Sequence, residues 1–294
     1  MTLSESTTVD YRAFGVLVRS DIPLWPTERQ VDGEPDIRVI LRAPAAPPPA
    51  VFRAGARDTT VTLAGVGALR VRDGSVIDAF PAVGATQEVL GVFAAGAGLA
   101  MALTQRGLFV LHGSCIDVHG AAVCIAGPSG AGKSTLAAVM VARGHRLVCD
   151  GMTALRVTES GQVMAAVGPS VLKVWPETAR HLGWDLARLP PVTQLHDKRF
   201  AVVPTVAGPD EVAVNRVFTL GPRGPVARVR LGPQQAVMEL VRHTFLMEFC
   251  DEESAAFLFD QATAVAARTT TMELSRGECL ADAAAAADLL ESGC

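Results

Sequence analysis

The sequence predicts an α/β protein with a small β-rich unit at its N-terminus, on three observations. Short strands separated by turn residues fill the first 85 residues. A strand, a glycine-rich loop and a helix follow one another between residues 121 and 143. The 294 residues are 49% hydrophobic and 19% charged, which suits a globular core. We therefore expect a β-rich unit at residues 1–85 and an α/β core at residues 86–294.

Local patterns place the elements of the N-terminal unit. Residues 11–18 and 37–42 alternate like strands, and Asp73 with Gly74 predicts a hairpin turn between two further strands. The uncharged run 89–105 is rich in Ala and Gly and slightly short for a bilayer. It is therefore expected to be a buried helix rather than a membrane span.

The core shows the same kind of local signal. Residues 108–127 predict two strands that turn at His119 and Gly120, and the second strand leads into the glycine-rich loop. The remaining expected elements are a helix at 133–143, a strand at 145–150, a β-rich middle at 153–232, and helices near 233–247, 252–267 and 279–291.

The loop GPSGAGKST is a phosphate-binding motif in its proper context, with a strand before it and a helix after it. Glycines allow backbone conformations that aim amide groups at an anion, and the start of the helix adds a favourable dipole. In this motif the lysine reaches the β and γ phosphates and the next serine offers its hydroxyl to Mg²⁺. The expected nucleotide-binding residues are Gly127, Pro128, Ser129, Gly130, Ala131, Gly132, Lys133, Ser134 and Thr135.

Asp150 is the candidate acid. It ends an apolar strand seventeen residues after Lys133. If that strand lies parallel and adjacent to the strand of the loop, the carboxylate faces the phosphates. There it could hold Mg²⁺ together with Ser134, or accept a hydroxyl proton. The alternative is a turn or capping aspartate without a chemical role.

Several classes of protein are excluded or disfavoured. The net charge of −4, with no long basic run, argues against nucleic acid as the main partner. Six irregularly spaced cysteines argue against a zinc site. The N-terminus lacks the features of a signal peptide, so a cytoplasmic protein is expected. The sole asparagine, Asn215, precedes Arg, so the base-reading motif of GTPases is missing. Transporter and eukaryotic-type protein kinase motifs are missing as well.

The hairpin and loop together resemble the bacterial HPr kinase/phosphorylase family. The shared pattern is H-G, a turn glycine, G-x-S-G-x-G-K-S and then R-G-H-x-L-V-x-D. It matches His112, Gly113, Gly120, Gly127, Ser129, Gly130, Gly132, Lys133, Ser134, Arg143, Gly144, His145, Leu147, Val148 and Asp150. The resemblance covers about 40 residues. It implies a phosphoenolpyruvate-carboxykinase-like fold and ATP-dependent phosphorylation of a serine, with ATP and Mg²⁺ as cofactors.

Two departures from the family pattern bear on the chemistry. Thr135 stands where the family has Glu, and Gly151 replaces the second Asp of an acidic pair. The resemblance then leaves metal binding and proton acceptance to Asp150. The C-terminal half lacks the glycine-rich signature associated with HPr docking, so HPr itself is not the expected substrate.

The segment from Gly168 to Pro204 resembles shorter HPr-kinase-like proteins, including kinases of lasso-peptide precursors. Lys173, Lys198 and Arg199 match cations of that group, and they could neutralise a phosphoryl group or hold a carboxylate. The alternative is that all three are ordinary solvated cations. The expected acceptor is a serine of a peptide or small protein, such as the C-terminal serine of a lasso-peptide precursor.

His112 remains open between two roles, a site residue near Asp150 or the γ-phosphate and a hydrogen-bonded core histidine. The predicted catalytic set is Asp150, His112 and Lys133. Two other functions are compatible with the residues, a small-metabolite kinase and a nucleotide-gated binding module with little catalysis. A homo-oligomer is also compatible, whereas neither nucleic acid nor a membrane is an expected partner.

Overall fold

A computed structural model describes residues 8–27, 33–43, 57–245 and 252–292 of the chain. This part of the chain is mixed α/β, as expected, and contains three β-sheets of six, nine and three strands. Its strands are β1 Val9–Ala13, β2 Val16–Ser20, β3 Ile37–Leu41, β4 Asp58–Leu63, β5 Gly67–Arg72, β6 Val76–Pro81, β7 Phe109–Leu111, β8 Gly113–Val118, β9 Ala121–Ala126, β10 Arg146–Cys149, β11 Thr153–Val157, β12 Val163–Ala166, β13 Val171–Val174, β14 Pro191–Thr193, β15 His196–Val202, β16 Glu211–Leu220, β17 Ala227–Arg230 and β18 Thr270–Ser275. Its α-helices are α1 Gln87–Phe93, α2 Leu99–Gln105, α3 Lys133–Ala142, α4 Pro176–His181, α5 Pro233–Arg242, α6 Glu252–Ala266 and α7 Ala283–Glu291.

The first sheet contains the strands of the N-terminal unit in the order β1-β2-β3-β6-β5-β4. The turn at Asp73 and Gly74 is confirmed, since both residues have the positive φ angles (53° and 61°) of a tight hairpin turn. The expectation of one strand over residues 11–18 is wrong. Phe14 and Gly15 have φ angles of 55° and 75°, so the chain reverses there and β1 pairs with β2 as a hairpin.

The apolar run after the first sheet forms one long helical segment, Gln87–Gln105. It consists of α1, a π-helical segment at Ala94–Gly98, and α2. By length and composition it could cross a membrane, but 72% of its apolar window is buried inside the protein. The buried helix is therefore confirmed. A cluster of buried apolar residues runs from the first sheet through this helix into the second sheet, and the division at residue 85 stays a prediction.

The second sheet carries the glycine-rich loop. Its strands follow the order β10-β8-β9-β16-β12-β11-β7, with β18 also paired to β16 and β17 paired to β18. Strands β9, β16 and β18 are mutually parallel. Parallel strands end at a common edge, so the loop after β9 shares that edge with the segments that follow β16 and β18. The expected turn at His119 and Gly120 is confirmed, with φ angles of 55° and 88°.

The third sheet, in the order β13-β15-β14, packs beside α3. The helix expected near 233–247 ends earlier, at Arg242. It ends there because the chain turns to pair with β7: the amide of His112 donates to the carbonyl of His243, and the amide of Phe245 donates to that of Val110. This pairing brings Phe245 beside His112, with the two ring centroids 5.6 Å apart.

Candidate active site

The glycine-rich loop connects the end of β9 to the start of α3. Gly130 and Gly132 have φ angles of 77° and 99°, in a region that side chains with a β-carbon rarely adopt. Gly132 is the N-cap of α3, so the first amides of the helix lie next to the loop. The local geometry is that of a phosphate cradle, as the motif predicts.

Lys133 lies inside this cradle rather than at the surface. Its side chain is only 6% exposed, and its Nζ donates to the carbonyl oxygens of Gly127 and Pro128, each at 2.8 Å. Burial lowers the pKa of Lys133 to about 8, an effect that the charge of Asp150 opposes and that of Lys198 reinforces. The lysine is therefore a buried cation at the mouth of the loop.

Asp150 lies next to the loop and accepts three hydrogen bonds. The hydroxyls of Ser114 and Ser134 donate to its Oδ1 at 2.6 and 2.9 Å. The backbone amide of Lys173 donates to its Oδ2 at 2.9 Å. Because a carboxylate offers about four lone-pair sites, one site stays available for a proton or a cation. These three contacts fix the orientation of the carboxylate, and its chemical role stays a prediction.

The expected position of the Asp150 strand was wrong in one respect. β10 does not pair with β9, because β8 lies between them and is antiparallel to both. β10 therefore still runs parallel to β9, and its C-terminal acid reaches the same edge of the sheet. The intervening strand also supplies Ser114, a contact of Asp150 that no sequence motif indicated.

His112 lies between β7 and β8 and borders the same cavity as Lys133 and Asp150. Its pKa is lowered to about 4, chiefly by burial and then by the nearby charges of Lys133 and Lys198. The imidazole is consequently neutral at pH 7. It can then donate a hydrogen bond from one nitrogen and accept one at the other.

The three expected cations do not share one face of the third sheet. Lys173 pairs with Phe200 and Val174 pairs with Arg199, so Lys173 and Arg199 lie on opposite faces. Lys173 and Lys198 line the cavity, and the ammonium of Lys198 lies 5.2 Å from the ring centroid of Trp175. Burial lowers the pKa of Lys173, partly offset by Asp150.

Arg199 is absent from the described lining of this cavity. Its Nε is buried and makes no hydrogen bond within the described residues. The structure thus brings two of the three expected cations to the site and directs the third away from it.

Both departures from the family pattern lie at the cavity. The Thr135 hydroxyl is 3.1 Å from that of Thr178, which joins α3 to α4. Gly151 has a φ angle of 86°, and a Cβ at this position would meet no atom within 4 Å. The position of the missing second acid is therefore open space beside Asp150.

Arg276 is a second contact that the sequence did not indicate. It follows β18, and its guanidinium donates to the carbonyl of Ala131 within the loop. Burial, and then the nearby charge of Arg223, lower the pKa of Arg276. No motif marks this arginine; only the parallel pairing of β16 with both β9 and β18 brings it to the loop.

Among the described residues, two cavities meet at the loop. The first, here named the Asp150 cavity, has a volume of about 270 Å³ and contains Lys133, Ser134, Asp150, Lys173 and Lys198 in its lining. The second, here named the Leu220 cavity, has a volume of about 620 Å³. It borders residues 127–129 and is lined by groups that include Leu220, Glu239, Arg242 and Glu273. His112, Ser129 and Phe245 border both cavities.

The donor set at the loop fits Mg²⁺. Ser134 and Asp150 present hard oxygen ligands within 2.9 Å of each other, beside the phosphate cradle. No group of three or more His, Cys, Asp or Glu side chains that could hold a metal occurs within the described residues. Mg²⁺ does not require such a cage, since it is commonly held by one or two carboxylates, waters and substrate phosphates.

Comparison with known proteins agrees with this geometry. Residues 103–175, about a quarter of the chain, match the family model of the HPr Serine kinase C-terminal domain. The chain is 39% identical over 72 residues to the HPr kinase/phosphorylase of Brevibacillus brevis, covering 24% of this chain and 21% of that protein. It is 40% identical over 63 residues to the Exiguobacterium sibiricum protein of the same name, covering 21% and 20%. The chain thus spans about a fifth of the length of these relatives.

A solved structure, the Hpr(Ser) kinase/phosphatase of Coxiella burnetii, is 19% identical and covers 42% of this chain and 76% of its own. Its TM-score with this chain is 0.27. The family match instead rests on the aligned segment, which contains the loop, Ser114, Asp150 and Lys173. Over that segment the chain is HPr-kinase-like.

Proposed function

We propose that this protein is an ATP- and Mg²⁺-dependent kinase that phosphorylates a serine of a peptide or small protein. The observation that carries the proposal is the position of Asp150. Its carboxylate accepts from Ser134 of the phosphate loop and borders one cavity with Lys133, Lys173 and Lys198. A phosphate cradle, an oriented carboxylate and several cations in one cavity suit phosphoryl transfer.

The proposed step transfers the γ-phosphoryl group of ATP to a serine hydroxyl. The serine oxygen attacks the γ-phosphorus, the bond from that phosphorus to the β,γ-bridging oxygen breaks, and ADP leaves with the bond's electron pair. The serine proton passes to the available lone pair of Asp150. Ser114 and the amide of Lys173 hold the carboxylate in place for this transfer. With Mg²⁺ bound, Ser134 would turn to the metal, which would leave Asp150 one lone pair for the metal and one for the proton.

Cations stabilise the charge that develops during transfer. Lys133 and the loop amides face the β and γ phosphates, and Lys173 and Lys198 face the same cavity. A bound Mg²⁺ supplies further neutralisation of the phosphate oxygens. His112, neutral at pH 7, contributes a hydrogen bond without adding charge.

For the acceptor we propose a serine at or near a peptide C-terminus, as in a lasso-peptide precursor. The segment that contains Lys173 and Trp175 resembles kinases of such precursors, and Lys198 lies beside it. A terminal carboxylate next to the acceptor hydroxyl would find Lys173 and Lys198 in the cavity. This recognition uses the two lysines rather than Arg199.

The test uses the full chain with Mg²⁺ and γ-labelled ATP, offered to serine-terminated peptides and, separately, to a pool of small metabolites. We expect label in the peptides, and at least ~10²-fold less label with the Asp150→Asn variant. Label only in small molecules would favour a metabolite kinase. Tight ATP binding without transfer to any acceptor would favour a nucleotide-gated binding module.

A further inference from the structure

Part of the Asp150 cavity is formed by residues far from the phosphate loop in sequence. We define its apolar wall as Phe14, Trp25, Val92, Gly96 and Phe245, all of which line the cavity. The first two belong to the N-terminal unit, the next two to the long helical segment, and the last to the turn after α5. None of them lies within the family-matched segment. Residues outside the matched segment therefore supply this part of the cavity lining, beside apolar residues within it such as Met152 and Trp175.

The apolar wall contains a backbone irregularity at Phe14. This residue has a φ of 55°, which is rare for a bulky side chain. The amide of Phe14 donates to the carbonyl of Val167 at 2.6 Å, and its ring lies beside Gly168, where a Cβ would come within 2.9 Å of it. Strained backbone that the surroundings enforce occurs preferentially at functional sites.

The long helix contributes a second irregularity. Its π-helical segment, Ala94–Gly98, includes Ala95 and Gly96, which both line the cavity. Single π-helical turns within α-helices are frequently found at functional sites. The absence of a side chain at Gly96 leaves space in front of Phe245, since a Cβ on Gly96 would lie 3.6 Å from its ring. Both irregularities thus shape the same apolar wall.

Size and charge indicate what the wall contacts. The Asp150 cavity, about 270 Å³, is smaller than the usual range of sites for drug-sized ligands. It must also hold phosphate oxygens at Lys133, so the remaining space suits one side chain and not a nucleoside. The Leu220 cavity, about 620 Å³, has room for the nucleoside, and its lining includes Glu273 and a Glu239 that is paired with Arg242.

We propose that the apolar wall binds a large aliphatic side chain of the acceptor peptide, belonging to the residue directly before the acceptor serine. This inference rests on the proposed function and specifies its substrate. A residue bound there places the following hydroxyl next to Asp150. The N-terminal unit and the long helix thereby determine acceptor specificity.

The test compares two peptides that end in serine and differ only in having Leu or Ala before it. Peptide binding is measured in the presence of a non-hydrolysable ATP analogue, and transfer is measured in parallel with Mg²⁺ and ATP. The unmodified protein is expected to prefer the Leu peptide by about tenfold, the scale of one buried aliphatic side chain. Gly96→Leu fills the space before Phe245 and should abolish this preference, with the affinity for ATP kept within about twofold.

Matched variants separate cavity filling from instability. Gly96→Ala should have an intermediate effect on the Leu-to-Ala ratio, since its Cβ makes only an ordinary contact. Ala285→Leu places the same side chain at an exposed position of α7 and should leave the ratio unchanged. Val92→Ala enlarges the cavity and should shift the preference towards Phe over Leu. Thermal melting establishes that each variant is folded.

Each outcome decides between the two proposals. A Leu preference in binding that Gly96→Leu abolishes, without transfer to any peptide, supports the apolar wall and contradicts the kinase. Transfer without a Leu preference, or with one that Gly96→Leu leaves unchanged, overturns the wall and supports the kinase. A tenfold loss of ATP affinity in Gly96→Leu assigns the wall to the nucleoside and also overturns the inference.

Discussion

Replacing Asp150 with asparagine changes one carboxylate oxygen to an amide group and removes the negative charge. The two serine hydroxyls can rotate to suit an amide, but the backbone amide of Lys173 needs an acceptor opposite it. If the side-chain oxygen of the asparagine faces the amide of Lys173, its NH₂ group faces the two serine hydroxyls, which then lose their carboxylate acceptor. If that oxygen faces the hydroxyls instead, the NH₂ group of the asparagine meets the backbone N–H of Lys173, and neither can accept a hydrogen bond from the other. Either way the hydrogen-bond set of the site is weakened.

The size of the effect follows from these three bonds. A hydrogen bond to a charged group contributes about 1.5–3 kcal/mol and a neutral one about 0.5–1.5 kcal/mol. The site is half-buried, so we expect the free energy of unfolding to fall by about 2 kcal/mol. Loss of a positioned base should lower phosphoryl transfer by at least ~10²-fold. ATP affinity should stay within about tenfold, because Lys133 and the loop amides are unchanged.

The assay combines three measurements on the same protein. Calorimetry gives the affinity for ATP, thermal or urea unfolding gives the stability, and release of labelled phosphate or transfer to peptide gives turnover. Asp117→Asn is the matched control: Asp117 lies on β8 and accepts from the amide of Gly120, in the turn joining β8 to β9. It should keep normal turnover. Near-normal turnover in Asp150→Asn would refute the proposed mechanism and leave Asp150 as a structural residue.

Three further predictions concern the cations. Lys133→Ala should abolish the ATP-dependent rise in melting temperature while the unliganded protein stays folded; unchanged ATP affinity in calorimetry would contradict the loop assignment. Because the pKa of Lys133 is lowered to about 8, its positive charge is present below pH 8 and lost above it. ATP affinity should therefore fall by up to about tenfold per pH unit above pH 8. A titration of Lys133→Arg, whose guanidinium keeps its charge over this range, should show no such slope, and the same slope in both proteins would assign it to another group. Amidating the C-terminus of a serine-terminated peptide should lower the kcat/KM of transfer, because the carboxylate that the lysines bind is lost. Lys198→Ala should reduce the difference in kcat/KM between the acid and the amide peptide. Equal transfer to both peptides by the unmodified protein would show that the terminus is not recognised.

Much of the local structure could be predicted because its signals are local. Tight turns were predicted from two residue pairs that favour positive φ angles, Asp73 with Gly74 and His119 with Gly120. The loop and the start of α3 follow from glycines and Lys133 in one short motif. The reversal at Phe14 and Gly15 was missed because Phe14 is an apolar residue within an alternating pattern that also fits a continuous strand. The end of α5 was misplaced because pairing with β7, a contact distant in sequence, ends it.

The sequence by itself determined the glycine-rich loop before α3, the place of Lys133 and Ser134 at the start of that helix, and the position of Asp150 at the end of a nearby strand. These features depend on spacing along the chain, which fixes local geometry. The tertiary structure alone decided which strands are neighbours: β8 between β9 and β10 brings Ser114 to Asp150, and the pairing of β16 with β18 brings Arg276 to the loop. It also decided that Lys198 faces the cavity while Arg199 faces away, since the register of β15 on β13 sets the face of each residue. Such contacts depend on sheet order and register, which are set by packing of the whole core and not by any one segment.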